Sequence, residues 1–211
     1  MSVRRTLLDR FGRWTLLGLM PVLFWLSGCS STYPPLPKVA SLPSDYYYVI
    51  GPGDSVDIFV WGNPEVSGGA AVGPDGRITT RLVEGLPAIG KTAAELARDI
   101  EKELAQYIKN PLVTVIVSGF QGPSSEQVRV LGEATNPQSL PYRINMTLLD
   151  LMISVGGLSQ FADGNAASVV RVVDGEQMQF NIRIDDLLDG DFTANVDILP
   201  GDVILIPEAY F

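Results

Sequence analysis

The sequence predicts an α+β fold of two small units in series, with no membrane-crossing helix in the mature chain. Three observations predict it. Short runs alternate apolar with polar residues between Pro, Gly and Asp, as strands joined by turns require. Two runs open on capping threonines, and the longer repeats apolar residues every four positions, as an amphipathic helix does. The 21 Gly and 15 Pro among 211 residues supply the punctuation that many short strands need.

The first strand signal is "GPGDSVDIFVW", starting at Gly51. Val56, Ile58 and Val60 form one alternating set, and Asp57, Phe59 and Trp61 the other. Before them, Pro52 fixes φ, Gly53 supplies the positive φ of a type II turn, and Asp54 is short enough to cap nearby amides. Asp75-Gly76 in "VGPDGRITTRL" predicts a hairpin between two extended runs. Thr92 and Glu95 form a capping box ahead of Leu96, Ile100, Leu104 and Ile108, with Asn110-Pro111 ending the run. Leu112–Ser118 then reads as a buried strand, and Gly122-Pro123 as a break. Strand, hairpin, helix, strand is the first unit, residues 46–122.

The second unit, 123–211, starts with the strand in "EQVRVLGEATNPQ". A short helix follows, capped by Thr147 with Asp150 and stopped by Gly156-Gly157. A hairpin turns at Asp174-Gly175, and "LPGDVILIP" closes the chain with a last strand after Pro200, Gly201 and Asp202. Strands wrapped about one short helix suggest a β-grasp-like domain. The word Pro-Gly-Asp thus occurs twice, each time just before a strand and beside no other reactive side chain. It reads as a turn that opens a strand, not as a ligand loop.

Composition narrows the chemistry. With no histidine, the chain has no imidazole base, no Ser-His-Asp triad and no His-ligated zinc; with one cysteine it has no internal disulfide and no Cys-rich metal site. A formal charge of −9 argues against a nucleic-acid partner. Carboxylate or lysine chemistry remains, and no catalytic, cofactor-binding or metal-binding residue is assigned. The acidic run "DDLLDGDFTANVD" offers Asp185, Asp186, Asp189, Asp191 and Asp197 to a two-carboxylate glycan hydrolase, but clustered loop acids are usually solvated. As a calcium loop counted from Asp185 it fails, with Leu187 at position three and Val196 at position twelve.

The N-terminus reads as an address. Arg4, Arg5, Arg10 and Arg13 precede the apolar run Leu16–Leu26, which is far shorter than the ~20 residues of a spanning helix. "LSGC", Leu26 to Cys29, resembles the bacterial lipobox, whose cysteine is acylated and becomes the first mature residue. Residues 1–28 are then a lipoprotein signal peptide, and Cys29 is the lipidation site. Ser30 follows that cysteine where aspartate would, by resemblance to known lipoproteins, favour inner-membrane retention, so the resemblance implies the periplasmic leaflet of the outer membrane. Residues 29–45, with four prolines in "SSTYPPLPKVASLPSD", read as a tether unable to build a core.

Taken in order, "YYVIGPGDSVDIFVW", "VGPDGRITTRLVEGLPAIGKTAAELARDIEKEL" and "YIKNPLVTVIV" resemble the export domain of the outer-membrane polysaccharide export lipoproteins. "VRVLGEATNPQSLPYRINMTLLDLMISVGGLSQFADGNAASVVRV" with "PGDVILIP" resembles that family's soluble-ligand-binding (SLBB) β-grasp domain. "NPLVTVIV", "GGLSQFADGNA" and "IPEAYF" are similar to its short branch, associated with exosortase (PEP-CTERM) systems. Gln138, where many relatives carry glycine, and Arg81, where proline is common, depart from the pattern.

The resemblance implies an oligomeric ring, lipid-anchored on the periplasmic side of the outer membrane, that conducts or docks an exopolysaccharide. It also implies an inner-membrane chain-length regulator (a polysaccharide co-polymerase) as partner. Long members carry a second β-grasp repeat and a membrane-crossing helix; here the sequence ends at Phe211, so a separate outer-membrane β-barrel porin is expected. The alternative is a monomeric glycan- or cell-wall-binding lipoprotein. Trp61, Tyr46, Tyr47, Tyr48 and Phe120 could stack on sugars, although aromatics at strand spacing more often serve core or interface. Sequence assigns no sugar-facing residue.

Overall fold

The computed structural model describes residues 33–37 and 46–209. The predicted signal segment, Cys29 and most of the predicted tether lie outside those residues. The first unit runs β1 (Ser55–Val60), β2 (Gly68–Ala71), β3 (Arg77–Ile78), β4 (Leu86–Pro87), α1 (Ala93–Leu104) and β5 (Val113–Ser118). β1 lies between β2 and β5, antiparallel to both. Val56, Ile58 and Val60 sit opposite Val117, Val115 and Val113, so one face of the sheet is a row of valine and isoleucine. That face meets Leu96, Ile100 and Leu104 of α1, all buried, with Ile108 half-buried against them. A twelve-residue helix is marginal alone, so this burial, about 1.5–3 kcal/mol per large side chain, holds α1 in place.

The caps are built as the spacing requires. Thr92 Oγ1 accepts from the Glu95 N–H, and Glu95 accepts in return from the Thr92 N–H. Thr147 and Asp150 repeat the box at the start of α2. The Thr92 backbone N–H and then its hydroxyl hold the Glu95 carboxyl below its ordinary range, and the Thr147 hydroxyl and then its N–H do so for Asp150. Because the folded value is the depressed one, each box contributes fully above about pH 4 and loses strength as pH falls through the folded value. Thr147→Ala is expected to cost about 1 kcal/mol at pH 7, and less at acid pH. Urea titrations at the two pH values test this; an equal cost at both would contradict the account.

The second unit runs β6 (Val128–Gly132), β7 (Ser139–Leu140), α2 (Leu148–Val155), β8 (Ser168–Val173), β9 (Glu176–Asn181), α3 (Ile184–Leu188) and β10 (Val203–Ile206). Its sheet has the order β7-β6-β10-β8-β9, with β6 and β10 parallel and the other pairs antiparallel. Val128, Val130, Val169, Ile204 and Ile206 face Leu148, Leu151, Met152 and Val155 of α2 and Ile184 and Leu187 of α3. A mixed sheet gripping a short helix is a β-grasp arrangement. Gly156 and Gly157 have φ of 78° and 81°, and the Gly157 N–H bonds the Met152 carbonyl at 2.8 Å, closing α2. Asp174 and Gly175 (φ 53° and 85°) are both left-handed, the two-residue turn that β8 and β9 need.

Four expectations are corrected. The Asp75-Gly76 turn does form, with the Gly73 N–H on the Arg77 carbonyl, but it joins no hairpin. β2 pairs with β1, and β3 pairs with β4, because the Gly76 carbonyl accepts from both Ala88 and Ile89 and draws the chain to the later segment. The regular part of α1 ends at Leu104, where its carbonyl accepts from both Tyr107 and Ile108. The acidic run is not all loop, since Ile184 and Leu187 have core to bury and wind it into α3. Finally, part of the predicted tether belongs to the fold. Pro34 to Leu36 runs parallel to β9: the Asn181 N–H bonds the Pro34 carbonyl at 2.8 Å and the Leu36 N–H bonds the Asn181 carbonyl at 3.2 Å. Pro35, which lacks an N–H, falls between those bonds, as proline on a sheet edge must, and Leu36 enters the core at 5 % exposure.

Candidate functional site

The two Pro-Gly-Asp words fold as the same turn. In the first, the Asp54 N–H returns to the Gly51 carbonyl (3.3 Å), Gly53 takes φ 90°, and Asp54 Oδ2 accepts the Gly51 N–H at 2.9 Å. In the second, the Asp202 N–H returns to the Leu199 carbonyl (3.2 Å), Gly201 takes φ 83°, and Asp202 Oδ2 accepts the Leu199 N–H at 2.7 Å. Each aspartate is therefore folded back over its own turn and buried.

What each carboxylate does beyond its turn differs. Asp54 Oδ1 accepts the Gln121 and Gly122 N–H groups at 2.6 and 3.1 Å, and Oδ2 accepts the Tyr48 hydroxyl at 2.5 Å. It pins the segment leaving β5 to the segment entering β1. Asp202 instead takes Arg171 side-on, Nε at 2.9 Å and Nη2 at 2.6 Å, while the same Nη2 reaches the Asp197 carbonyl at 2.9 Å. Both turns crowd the 121–125 connection between the units. A Cβ on Gly51 would lie 2.0 Å from the Gly122 carbonyl carbon, and one on Gly201 would lie 2.7 Å from the Ser125 carbonyl oxygen. Pro52 precedes Gly53, and Pro200 precedes Gly201, as the fixed-φ corners of the two turns.

Where the connection passes, three segments far apart in sequence converge on a groove of about 510 Å³. Tyr46 and Tyr48 come from the strand-like run before the first turn, Phe120 from the end of β5, and Tyr142, Arg143 and Ile144 from the loop before α2. Tyr46 meets Tyr142 edge to face at 5.8 Å, and Tyr48 meets Phe120 edge to face at 5.2 Å. Both tyrosine hydroxyls are tied back, Tyr46 to Glu126 (2.8 Å) and Tyr48 to Asp54. Burial first, and these carboxylates second, push both phenols well above the usual tyrosine range, so they stay neutral donors at physiological pH. An apolar cleft with a few fixed polar groups is the common form of a small-ligand site.

Sequence reasoning names three of these residues, Tyr46, Tyr48 and Phe120, as sugar-stacking candidates. The structure brings those three together and leaves out the other two. Tyr47 and Trp61 are each 70 % exposed away from the groove, Trp61 beside Phe59 on the open face of the first sheet. Tyr142, Arg143 and Ile144 were missed, and only tertiary contact places them. The acidic run builds local structure instead. Asp185 accepts from the Asn165 N–H, Asp186 from the Asn165 amide and Arg183, and Asp191 from both donors of Thr193. Among the described residues no three His, Cys, Asp or Glu side chains converge as metal ligands.

The scaffold that carries the aromatic groove is a helix-backed three-stranded sheet followed by a β-grasp. The family models place it. "Polysaccharide biosynthesis/export protein" matches residues 42–118 and "SLBB domain" matches residues 127–181. The chain carries a polysaccharide biosynthesis/export domain followed by an SLBB domain. Over 187 residues it is 28 % identical to the EPS I polysaccharide export outer membrane protein EpsA of Ralstonia nicotianae, covering 76 % of this chain and 47 % of that protein. Over 155 residues it is 28 % identical to the exopolysaccharide production protein ExoF of Rhizobium meliloti, covering 68 % and 36 %. The chain thus spans less than half the length of these curated relatives.

Proposed function

We propose that this protein is a lipid-anchored component of an exopolysaccharide export machine at the outer membrane, acylated at Cys29 and held on the periplasmic side. Copies assemble into a ring that conducts or docks the polymer, between an inner-membrane co-polymerase and a separate outer-membrane porin. The observation that carries this reading is an export-family model over the first unit and an SLBB model over the second, in a chain similar to a protein named for polysaccharide export. The open face of the first sheet supports the ring: Phe59, Trp61, Leu112 and Ile116 leave apolar side chains in water that contact between copies would cover. Resemblance to the exosortase-associated branch adds that the system is of that kind.

A strain lacking the chain is expected to stop releasing polymer, and undiminished release overturns the export reading. Cys29→Ala is expected to remove acyl labelling and free the protein from membranes; unchanged labelling defeats the anchor. Particle images of the full-length lipoprotein in detergent decide between assembly and the alternative. Closed rings fit the conduit, whereas isolated globules favour a monomeric glycan-binding lipoprotein, for which the aromatic groove is the supporting feature.

A further inference from the structure

Arginine is used sparingly and almost always spoken for. Among the described residues, Arg77, Arg81 and Arg129 donate to the carbonyls of Gly85, Glu65 and Ser124. Arg98, Arg171 and Arg183 pair with Glu101, Asp202 and Asp186. Arg143 is the exception: its side chain is exposed at the mouth of the aromatic groove and donates to neither carboxylate nor carbonyl. In a chain with 24 acidic and 15 basic residues, a guanidinium with no acid beside it is a free recognition group. The two nearby carboxylates, Asp54 and Glu126, are engaged by the groove's own tyrosines.

The larger groove, about 660 Å³ beside the end of α1, has the opposite character. Glu84 and Glu103 line it, and its arginine, Arg81, already holds the Glu65 carbonyl. Only the aromatic groove, among these two, joins ring faces to an unspent cation. Ring faces accept the apolar face of a sugar, and a guanidinium at the rim grips a planar carboxylate with two parallel hydrogen bonds.

We infer that the groove of Tyr46, Tyr48, Phe120, Tyr142 and Arg143 binds a carboxylate-bearing sugar of the exported polymer, with Arg143 selecting the acid. The inference rests on the export reading and names the substrate class for it. A weak, charge-selective contact suits a chain that must move on, because the guanidinium is exposed and salt screens it.

The test is calorimetric titration of the full-length protein in detergent with a short uronic acid oligosaccharide and with its carboxyl-reduced counterpart. The acid form is expected to bind about five- to tenfold more tightly at low salt. Arg143→Gln, an exposed change that should not disturb folding, is expected to erase that preference and leave the weaker neutral binding. Arg81→Gln in the acidic groove is expected to change nothing. Phe120→Ala is expected to weaken both ligands alike. Equal affinity for the two oligosaccharides, a preference that survives Arg143→Gln, or no binding up to about 10 mM overturns the inference. Failure here is separable from failure of the export reading: the deletion strain reports on export whatever the groove binds.

Discussion

Asp202→Ala is expected to destabilise the second unit by about 3–5 kcal/mol, a large share of the 5–15 kcal/mol that holds a domain together. Asp202 and the Arg171 side chain are almost wholly enclosed, at 1 % and 7 % exposure. Removing the carboxylate leaves the guanidinium buried with only the Asp197 carbonyl, and leaves the Leu199 N–H without its acceptor. The penalty comes from the stranded partner rather than from the strength of the pair, since a buried ion pair is close to neutral against apolar replacement. Arg171→Met with Asp202→Asn is therefore expected to recover most of the loss, because the asparagine oxygen still accepts from Leu199. Urea midpoints of the single and double variants check this. A single-variant loss below about 1 kcal/mol would show that water reaches the site, and the account would fail.

Asp54→Ala is expected to cost a similar amount, about 3–5 kcal/mol, by another route. No cation is stranded. Instead three backbone N–H groups, of Gly51, Gln121 and Gly122, and the Tyr48 hydroxyl lose one shared acceptor. Asp54→Asn separates charge from acceptor count. Its single oxygen can still serve Gln121 and Gly122, but its NH₂ faces the Gly51 N–H, so roughly half the loss should remain. Asp54→Ala also releases Tyr48 from its tether and so should blur the wall of the aromatic groove. Denaturant melts read the first effect, and near-ultraviolet circular dichroism of the tyrosines reads the second. An asparagine variant as stable as the parent would remove Asp54 from its place as the pin between the segments that enter β1 and leave β5.

Features set within a few residues are legible in the sequence. The Thr92–Glu95 and Thr147–Asp150 boxes, the Asp174-Gly175 turn and the Val56, Ile58, Val60 alternation obey rules that act over one to four residues. Features set by tertiary contact are not. Arg171 and Asp202 stand 31 residues apart, and nothing local marks either for the other. The groove needs three separate segments to meet. Asp75-Gly76 was correctly a turn but wrongly a hairpin, because pairing is decided by which edge is free, and β1 had already taken β2. Leu36 was hidden by its own neighbours: prolines that suit a linker also suit the rim of a sheet.

That last feature sets a leash. Residues 30–33 are all that separate Cys29 from Pro34, which is fastened to Asn181 at the rim of β9. An extended residue spans at most about 3.6 Å, so five steps reach about 18 Å. Under the acylation proposed for Cys29, the β-grasp is the moored module, its β9 margin kept close to the lipid headgroups. The chain reaches the export unit, residues 46–122, only after passing this moored edge.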